Sequence, residues 1–108
     1  MSEASGAATH LRAGVASIDI TPAVDQRAIP LHGYFDRQQK PAQGVHDRLF
    51  AKSLVLANGE GKVAIVSADL LWIPGGMKAR VLELIGSTDI GPDSLLLCGS
   101  HSHSAPAP

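Results

Sequence analysis

The sequence has little of several features that would identify whole classes of protein. It contains one cysteine, Cys98, so no disulfide can form within the chain. Its apolar runs are far shorter than the ~20 residues that a membrane-spanning helix needs. Nine Lys and Arg against ten Asp and Glu give a formal net charge of −1, which excludes a basic face for nucleic acid or anionic lipid. Aromatic residues make up only 4% of the chain, so composition specifies no lipid channel.

The first twenty residues also lack the charged and apolar regions of a signal peptide. We therefore expect a cytoplasmic location for the chain as given, and a misassigned start would leave secretion or a periplasmic location open. What the sequence does have is a globular composition, with 108 residues of which 44% are hydrophobic and 18% charged. A domain of this length buries roughly two-thirds of its extended surface on folding, so a core is possible.

Polar and apolar patterning divides the chain into a tail and a folded segment. Residues 1–9 are small and polar without periodicity, which predicts a disordered tail, and residues 10–108 form the folded part. A period-2 pattern over residues 13–20, with Ala16, Ile18 and Ile20 on one face, predicts a strand with one apolar face. The proline- and glycine-containing residues 22–44 predict a long irregular loop, a candidate lid or rim of a substrate site. Two apolar runs joined by Asn-Gly within residues 45–71 predict a β-hairpin.

The second half of the chain predicts a strand, a helix and a strand. After a Pro-Gly-Gly break, apolar residues fall on one face of a short amphipathic helix: Met77, Val81, Leu84 and Ile85. Residues 94–100 follow as a strand that we expect to be buried on both faces. A β-α-β crossover over residues 62–100 places both strands parallel, with their carboxyl ends at one edge of the sheet. The fold class is therefore α/β, with a mixed sheet, a hairpin and this crossover.

The carboxyl end of the last strand carries the pattern His-x-His. In extended backbone, His101 and His103 project to the same face, so their two imidazoles converge as metal ligands do. Zn²⁺ binds imidazole nitrogen, and a catalytic site needs about three protein ligands, so these two are insufficient alone. The competing interpretation is a solvated loop with two polar residues. Small neighbours around the pair and the buried strand before it favour the metal site.

Other residues and other enzyme classes stay open on the pattern alone. His46 is either a further ligand or an exposed histidine beside Asp47. Asp69 interrupts an apolar strand and needs a hydrogen-bond partner, so it is either structural or chemical. The metallo-β-lactamase pattern requires Asp and His after His-x-His, where this chain has other residues, which disfavours that class. An amidohydrolase barrel and other His-x-His metal-dependent hydrolases remain possible.

Four segments, in this order, resemble the amino-terminal portion of the neutral/alkaline non-lysosomal ceramidase family. They are residues 14–22 (GVASIDITP), 44–56 (GVHDRLFAKSLVL), 66–71 (VSADLL) and 95–104 (LLLCGSHSHS). The family's last segment usually continues as Thr-His-Thr-His-Ser-Gly-Pro, and this chain departs from it with Ser at both Thr positions and with Ala105 in place of Gly. The departure at Ala105 affects how closely the backbone approaches the site.

The resemblance implies a zinc-dependent amidase that hydrolyses the N-acyl bond of ceramide-like lipids to fatty acid and sphingoid amine. It implies that His101 binds zinc, that His103 contacts substrate and reacting centre, and that Gly14 lies near the substrate pocket. The family's other zinc ligands lie downstream, so the remaining polypeptide is expected to complete the site and this segment alone to be inactive. The alternative is a non-catalytic metal- or ligand-binding α/β module, which a stop codon after Pro108 would favour.

Overall fold

A mixed four-stranded sheet with one α-helix forms the part of the chain that the computed structural model describes, residues 10–38, 40–106 and 108. The predicted disordered tail, residues 1–9, lies outside the described residues. In chain order the elements are β1 (Arg12–Asp19), β2 (Phe50–Ala57), β3 (Lys62–Ala68), α1 (Met77–Leu84) and β4 (Leu95–Gly99). The α/β class predicted from the sequence is confirmed.

The strands lie in the order β1-β2-β3-β4. β1 and β2 are antiparallel, as are β2 and β3, whereas β3 and β4 are parallel across the α1 crossover. Ala68 therefore pairs with Gly99 where both of these strands end. The hairpin, the crossover and the shared carboxyl edge all match the sequence prediction. The described residues between 22 and 44 are irregular, as predicted, apart from a short 3₁₀ helix at Phe35–Arg37 and isolated bridges at Pro30, Leu31 and Pro41.

The hairpin turn is built by an asparagine and a glycine. Asn58 Oδ1 accepts hydrogen bonds from the amides of Glu60 at 2.9 Å and Gly61 at 3.0 Å. Gly59 has φ 90°, a left-handed conformation that glycine adopts without steric cost. The strand entering this turn starts at Phe50, so the predicted start at residue 45 is wrong by five residues. The chain bends at His46 and Asp47 before the ladder begins.

Within the described residues, the predicted burial of the last strand on both faces is wrong, and the predicted amphipathic helix has no buried residue on its apolar face. α1 begins where Pro74-Gly75-Gly76 ends the preceding run, but none of its residues is buried, and Leu84 on its apolar face is 66% exposed. β4 is an edge strand of this sheet, and its Leu96 is 58% exposed rather than covered on both faces. β1, the other edge, is exposed along its whole length. Pattern alone identified the apolar positions but not the surfaces that cover them.

Six hydrophobic side chains are buried among the residues that the structure describes, and three of them are alanines. Ala64, Ala68 and Leu95 lie on one face of the sheet, as the β3–β4 register requires. The other buried side chains, Ile29, Leu71 and Ala105, lie in the loops around the carboxyl edge. None of the described helices is long and apolar enough to cross a membrane. The core of the described part is therefore divided between the β3–β4 pair and the loops around the carboxyl edge.

Candidate functional site

The two chain segments that leave β3 and β4 continue to bond to each other beyond the sheet. Ser100 N–H donates to the Ala68 carbonyl at 2.9 Å, and His101 N–H donates to the Leu70 carbonyl at 3.0 Å. The approach is so close that a Cβ on Gly99 would lie 2.9 Å from Leu70 O and 3.2 Å from Trp72 Cα. Glycine at position 99 therefore allows residues 70–72 to lie directly against residues 100–106, which we call the histidine segment.

His101 is oriented by that neighbouring segment. Its Nδ1 lies 2.9 Å from the Leu71 carbonyl oxygen. A carbonyl only accepts, so Nδ1 carries the proton and the Nε2 lone pair is left for another partner. A backbone carbonyl holding one imidazole nitrogen while the other faces a ligand is the usual arrangement around metal-binding histidines. The tautomer and the ring orientation thus suit a metal ligand.

The backbone at His101 differs from the expectation. We predicted extended backbone that would project His101 and His103 to one face. Instead His101 has φ 64°, in the left-handed region, and residues 103–104 form a turn. The two rings nevertheless lie next to each other, with centroids 5.0 Å apart at an interplanar angle of 70°. The pair predicted from the sequence is brought together, by a turn rather than by strand alternation.

His103 is held by a loop that the sequence identified only as a candidate rim. The Tyr34 ring meets the His103 ring edge to face, with centroids 4.9 Å apart. The Arg37 guanidinium donates a hydrogen bond to the His103 carbonyl oxygen. Gly33, at φ 109°, lies so near that a Cβ there would be 2.5 Å from His103 Cγ. Sequence reasoning missed all three residues, and the only signal was a Gly-Tyr pair inside a proline-bounded loop.

The other predicted site residues do not join the histidine pair in the described structure. Asp69 accepts a hydrogen bond from the Phe50 amide at 2.8 Å, which ties the ends of β2 and β3 together. His46 pairs with Asp47 at 2.9 Å, with side chains 97% and 87% exposed. Gly14 lies in the middle of β1, opposite Val55, with nothing within 4 Å of the place a Cβ would take. Its role in substrate binding stays a prediction.

A groove of about 410 Å³ is lined in part by Ser102, Ser104 and Pro106, residues that alternate with or follow the two histidines. Its walls are largely apolar, and a few polar groups lie among them. The residues that line it include Val24, Ile29, Leu31, Leu49 and Pro106, with Thr21, His46, Asp47, Ser102 and Ser104 as the polar members. His46 thus shares a groove with the serines that alternate with the two histidines, although it does not meet the imidazoles themselves.

The donor set near His101 fits part of a zinc site. Imidazole nitrogen is a preferred zinc ligand, and His101 presents Nε2 in the required tautomer. Across residues 10–38, 40–106 and 108, however, there is no group of three or more His, Cys, Asp or Glu side chains able to hold a metal ion. One or two ligands fit zinc here, and a complete catalytic site needs further ones.

A histidine pair at the carboxyl edge of a mixed α/β sheet is an arrangement found in hydrolases, and comparison with known proteins gives the family. A family model described as the amino-terminal region of neutral/alkaline non-lysosomal ceramidase matches residues 11–108. The chain belongs to this family, and the resemblance predicted from the four sequence segments is confirmed.

Relatives and solved structures agree with this assignment. Neutral ceramidase A of Dictyostelium discoideum is 38% identical over 69 residues, which cover 59% of this chain and 10% of that protein. The crystal structure of neutral ceramidase from Pseudomonas aeruginosa superposes with a TM-score of 0.72 at 26% identity, covering 90% of this chain and 16% of that one. A ceramidase complexed with C2 gives a TM-score of 0.71, also at 26% identity, covering 90% of this chain and 15% of that one. The chain therefore spans about a tenth of the curated relative and about a sixth of the solved structures.

Proposed function

We propose that this chain is the amino-terminal part of a zinc-dependent amidase that hydrolyses the N-acyl bond of ceramide-like lipids to a fatty acid and a sphingoid amine. His101 is its contribution to the zinc site, and His103 works beside the reacting amide. Gly14 belongs to the substrate-binding part, and the other zinc ligands come from polypeptide beyond these residues. Alone, the segment is inactive because it carries too few ligands.

The observation that carries the proposal is the hydrogen bond from His101 Nδ1 to the Leu71 carbonyl oxygen. It fixes the tautomer whose Nε2 lone pair can bind a metal. Membership in the ceramidase family supports an amide of a lipid as substrate. The largely apolar groove beside Ser102 and Ser104 supports a substrate with a hydrocarbon part.

The chemistry required of this segment follows from its residues. Zinc, when bound, supplies a Lewis acid that polarises an amide carbonyl and activates water. His101 holds its position through the Leu71 carbonyl. The 5.0 Å between the ring centroids of His101 and His103 supports a role for the His103 imidazole in moving a proton at the leaving amine. An amine leaves poorly as an anion, so a proton donor at this place accelerates cleavage.

The test uses the complete polypeptide and single alanine variants. His101→Ala should lose zinc and amidase activity together, since a ligand is removed from a site that has no spare one. His103→Ala should retain most of its zinc and lose turnover by roughly 10²–10⁴-fold, the usual contribution of a general acid or base. His10→Ala, an exposed histidine ahead of β1, is the matched control and should keep both.

Zinc is measured by elemental analysis and turnover with a short-chain N-acyl sphingosine. Undiminished zinc in His101→Ala would contradict the assignment of that ligand, and equal zinc loss in His103→Ala would make His103 a ligand as well. The alternative, a metal- or ligand-binding module without catalysis, predicts zinc binding in the wild-type protein without hydrolysis of any N-acyl amide.

A further inference from the structure

The loop of residues 29–42, which we call the Tyr34 loop, is closed on itself by backbone hydrogen bonds. Ala42 N–H donates to the Ile29 carbonyl at 2.8 Å, and Leu31 N–H donates to the Lys40 carbonyl at 3.4 Å. A bridge between Pro30 and Pro41 closes the same neck. The described part of the loop is thus a defined unit whose two ends meet, like the compact surface loops that often carry function.

This unit is docked on the histidine segment at three places. Leu31 forms an antiparallel bridge with Pro106, three residues beyond His103. Arg37 donates from its guanidinium to the His103 carbonyl oxygen, and Tyr34 contacts the His103 ring. The Arg37 guanidinium carbon also lies 4.9 Å from the centre of the Tyr34 ring, within the range of a cation–π interaction. Arg37 therefore holds the backbone of His103, and Tyr34 contacts its ring.

The histidine segment needs such support because no strand holds it. β4 ends at Gly99, and His103 lies in a turn four residues further on. His101 is fixed by residues 70–71, whereas the described contacts of His103 with a distant segment come from the Tyr34 loop. Removing the loop contacts would leave the His103 ring free to change rotamer. An imidazole displaced by about 1 Å from a reacting centre can cost on the order of 10²-fold in rate.

We propose that Tyr34 and Arg37 are positioning residues that hold His103 against His101, so that the Tyr34 loop sets the geometry of the reacting centre without binding the metal. The expected loss of kcat rests on the proposed function, whereas the expected displacement of the His103 ring does not. Gly33 allows the loop to approach His103 this closely, since any side chain at position 33 would collide with the His103 ring.

The kinetic arm uses the complete polypeptide with Tyr34→Ala, Tyr34→Phe, Arg37→Ala and the matched control Lys40→Ala. We expect Tyr34→Ala and Arg37→Ala to lower kcat by roughly 10–100-fold while KM changes little and zinc content is unchanged. Tyr34→Phe keeps the ring and should stay within about twofold of wild type, because the contact with His103 is made by the ring. Lys40→Ala removes one positive charge from the same loop and should behave as wild type.

The structural arm follows His103 directly, by NMR of the complete polypeptide labelled with ¹³C-histidine. The His103 signal is identified by its loss in His103→Ala. It should shift and broaden in Tyr34→Ala and Arg37→Ala, and it should stay unchanged in Tyr34→Phe and Lys40→Ala. An unchanged His103 signal in both alanine variants overturns the proposal, whether or not the protein proves to be an amidase.

Two further results keep the two proposals distinguishable. If the wild-type protein hydrolyses no N-acyl amide, the proposed function fails and the NMR arm alone decides the role of the loop. If Arg37→Ala does not fold, the comparison of Tyr34→Leu with Tyr34→Phe decides instead, since leucine keeps apolar bulk without the aromatic edge. Equal kcat and an equal His103 signal in those two variants would overturn the proposal.

Discussion

At the scale of single residues, Asp19 shows how one side chain joins distant parts of the chain. Its carboxylate accepts from the Thr21 amide at 2.8 Å and from Arg48 Nε at 2.7 Å. Hydrogen bonds from Thr21, followed by the one from Arg48, lower the pKa of Asp19 from 3.8 to about 2. Thr21 in turn accepts from the Leu49 amide through its hydroxyl at 2.7 Å, so the end of β1 is tied to the residue that precedes β2.

This lowered pKa predicts a defined pH dependence of stability. Because the pKa of Asp19 is lower in the folded state than in the unfolded chain, its stabilisation is present above about pH 4 and is lost as the pH falls towards about 2. In Asp19→Asn the free energy of unfolding should fall less steeply across this interval. Denaturant titrations at several pH values measure the slopes. Asp25→Asn, which removes an equal charge from an exposed loop position, should keep the wild-type slope, and equal slopes for Asp19→Asn and wild type would contradict the prediction.

At the scale of elements, the parallel crossover explains why the site lies where it does. The pairing of Ala68 with Gly99 brings the segments after β3 and β4 together, and three hydrogen bonds then continue beyond the sheet. The sheet itself contributes no ligand to the proposed zinc site. Its contribution is to deliver the Leu71 carbonyl to His101, which is the contact on which the proposed metal ligand depends.

Gly99 is a position at which an added side chain would disturb the contact between the segments after β3 and β4. Gly99→Ala places a methyl group 2.9 Å from Leu70 O, and neither backbone can yield cheaply, so we expect a loss of about 1–3 kcal/mol in the free energy of unfolding. Urea unfolding measures it. Gly14→Ala is the matched control in β1, where the methyl group meets nothing within 4 Å and stability should not fall. Equal stability of the two variants would show that residues 70–72 can move away without cost.

At the scale of the whole molecule, an uncovered apolar row crosses the sheet. The register places Val15 beside Leu54, Leu54 beside Ile65 and Ile65 beside Leu96, all on one face. Val15 is 83% exposed, Leu96 58% and Ile65 36%. Contiguous exposed apolar surface favours association, and a net charge of −1 supplies little repulsion against it.

We therefore expect the 108-residue chain by itself to associate with increasing concentration. Leu96→Lys interrupts the row and should lower the apparent molar mass in sedimentation velocity. Leu84→Lys is its matched control, because it adds the same charge at a similarly exposed leucine on α1, away from the row. If both variants reduce association equally, the loss of any exposed leucine rather than the row is responsible, since each substitution takes the net charge from −1 to 0 and so adds no repulsion.

Local patterns in the sequence determined most of the fold. Alternation in β1, the Asn58-Gly59 turn, the Pro-Gly-Gly break before α1 and the apolar run of β4 each depend on neighbours within a few residues. The rule that a strand–helix–strand unit has parallel strands then placed the carboxyl ends of β3 and β4 at one edge. His101 and His103 were found because they follow one of those ends directly.

The contacts that give the site its geometry were decided only by the tertiary structure. The Leu71 carbonyl on His101 Nδ1 and the contacts of Tyr34 and Arg37 with His103 join residues 30 to 69 positions apart. The left-handed backbone at His101 was not predicted either. Such contacts depend on where a loop docks, and periodicity and turn chemistry carry no information about docking. The sequence by itself therefore determined which histidines to consider, and the packing of residues 29–42 and 70–72 against them decided how they are held.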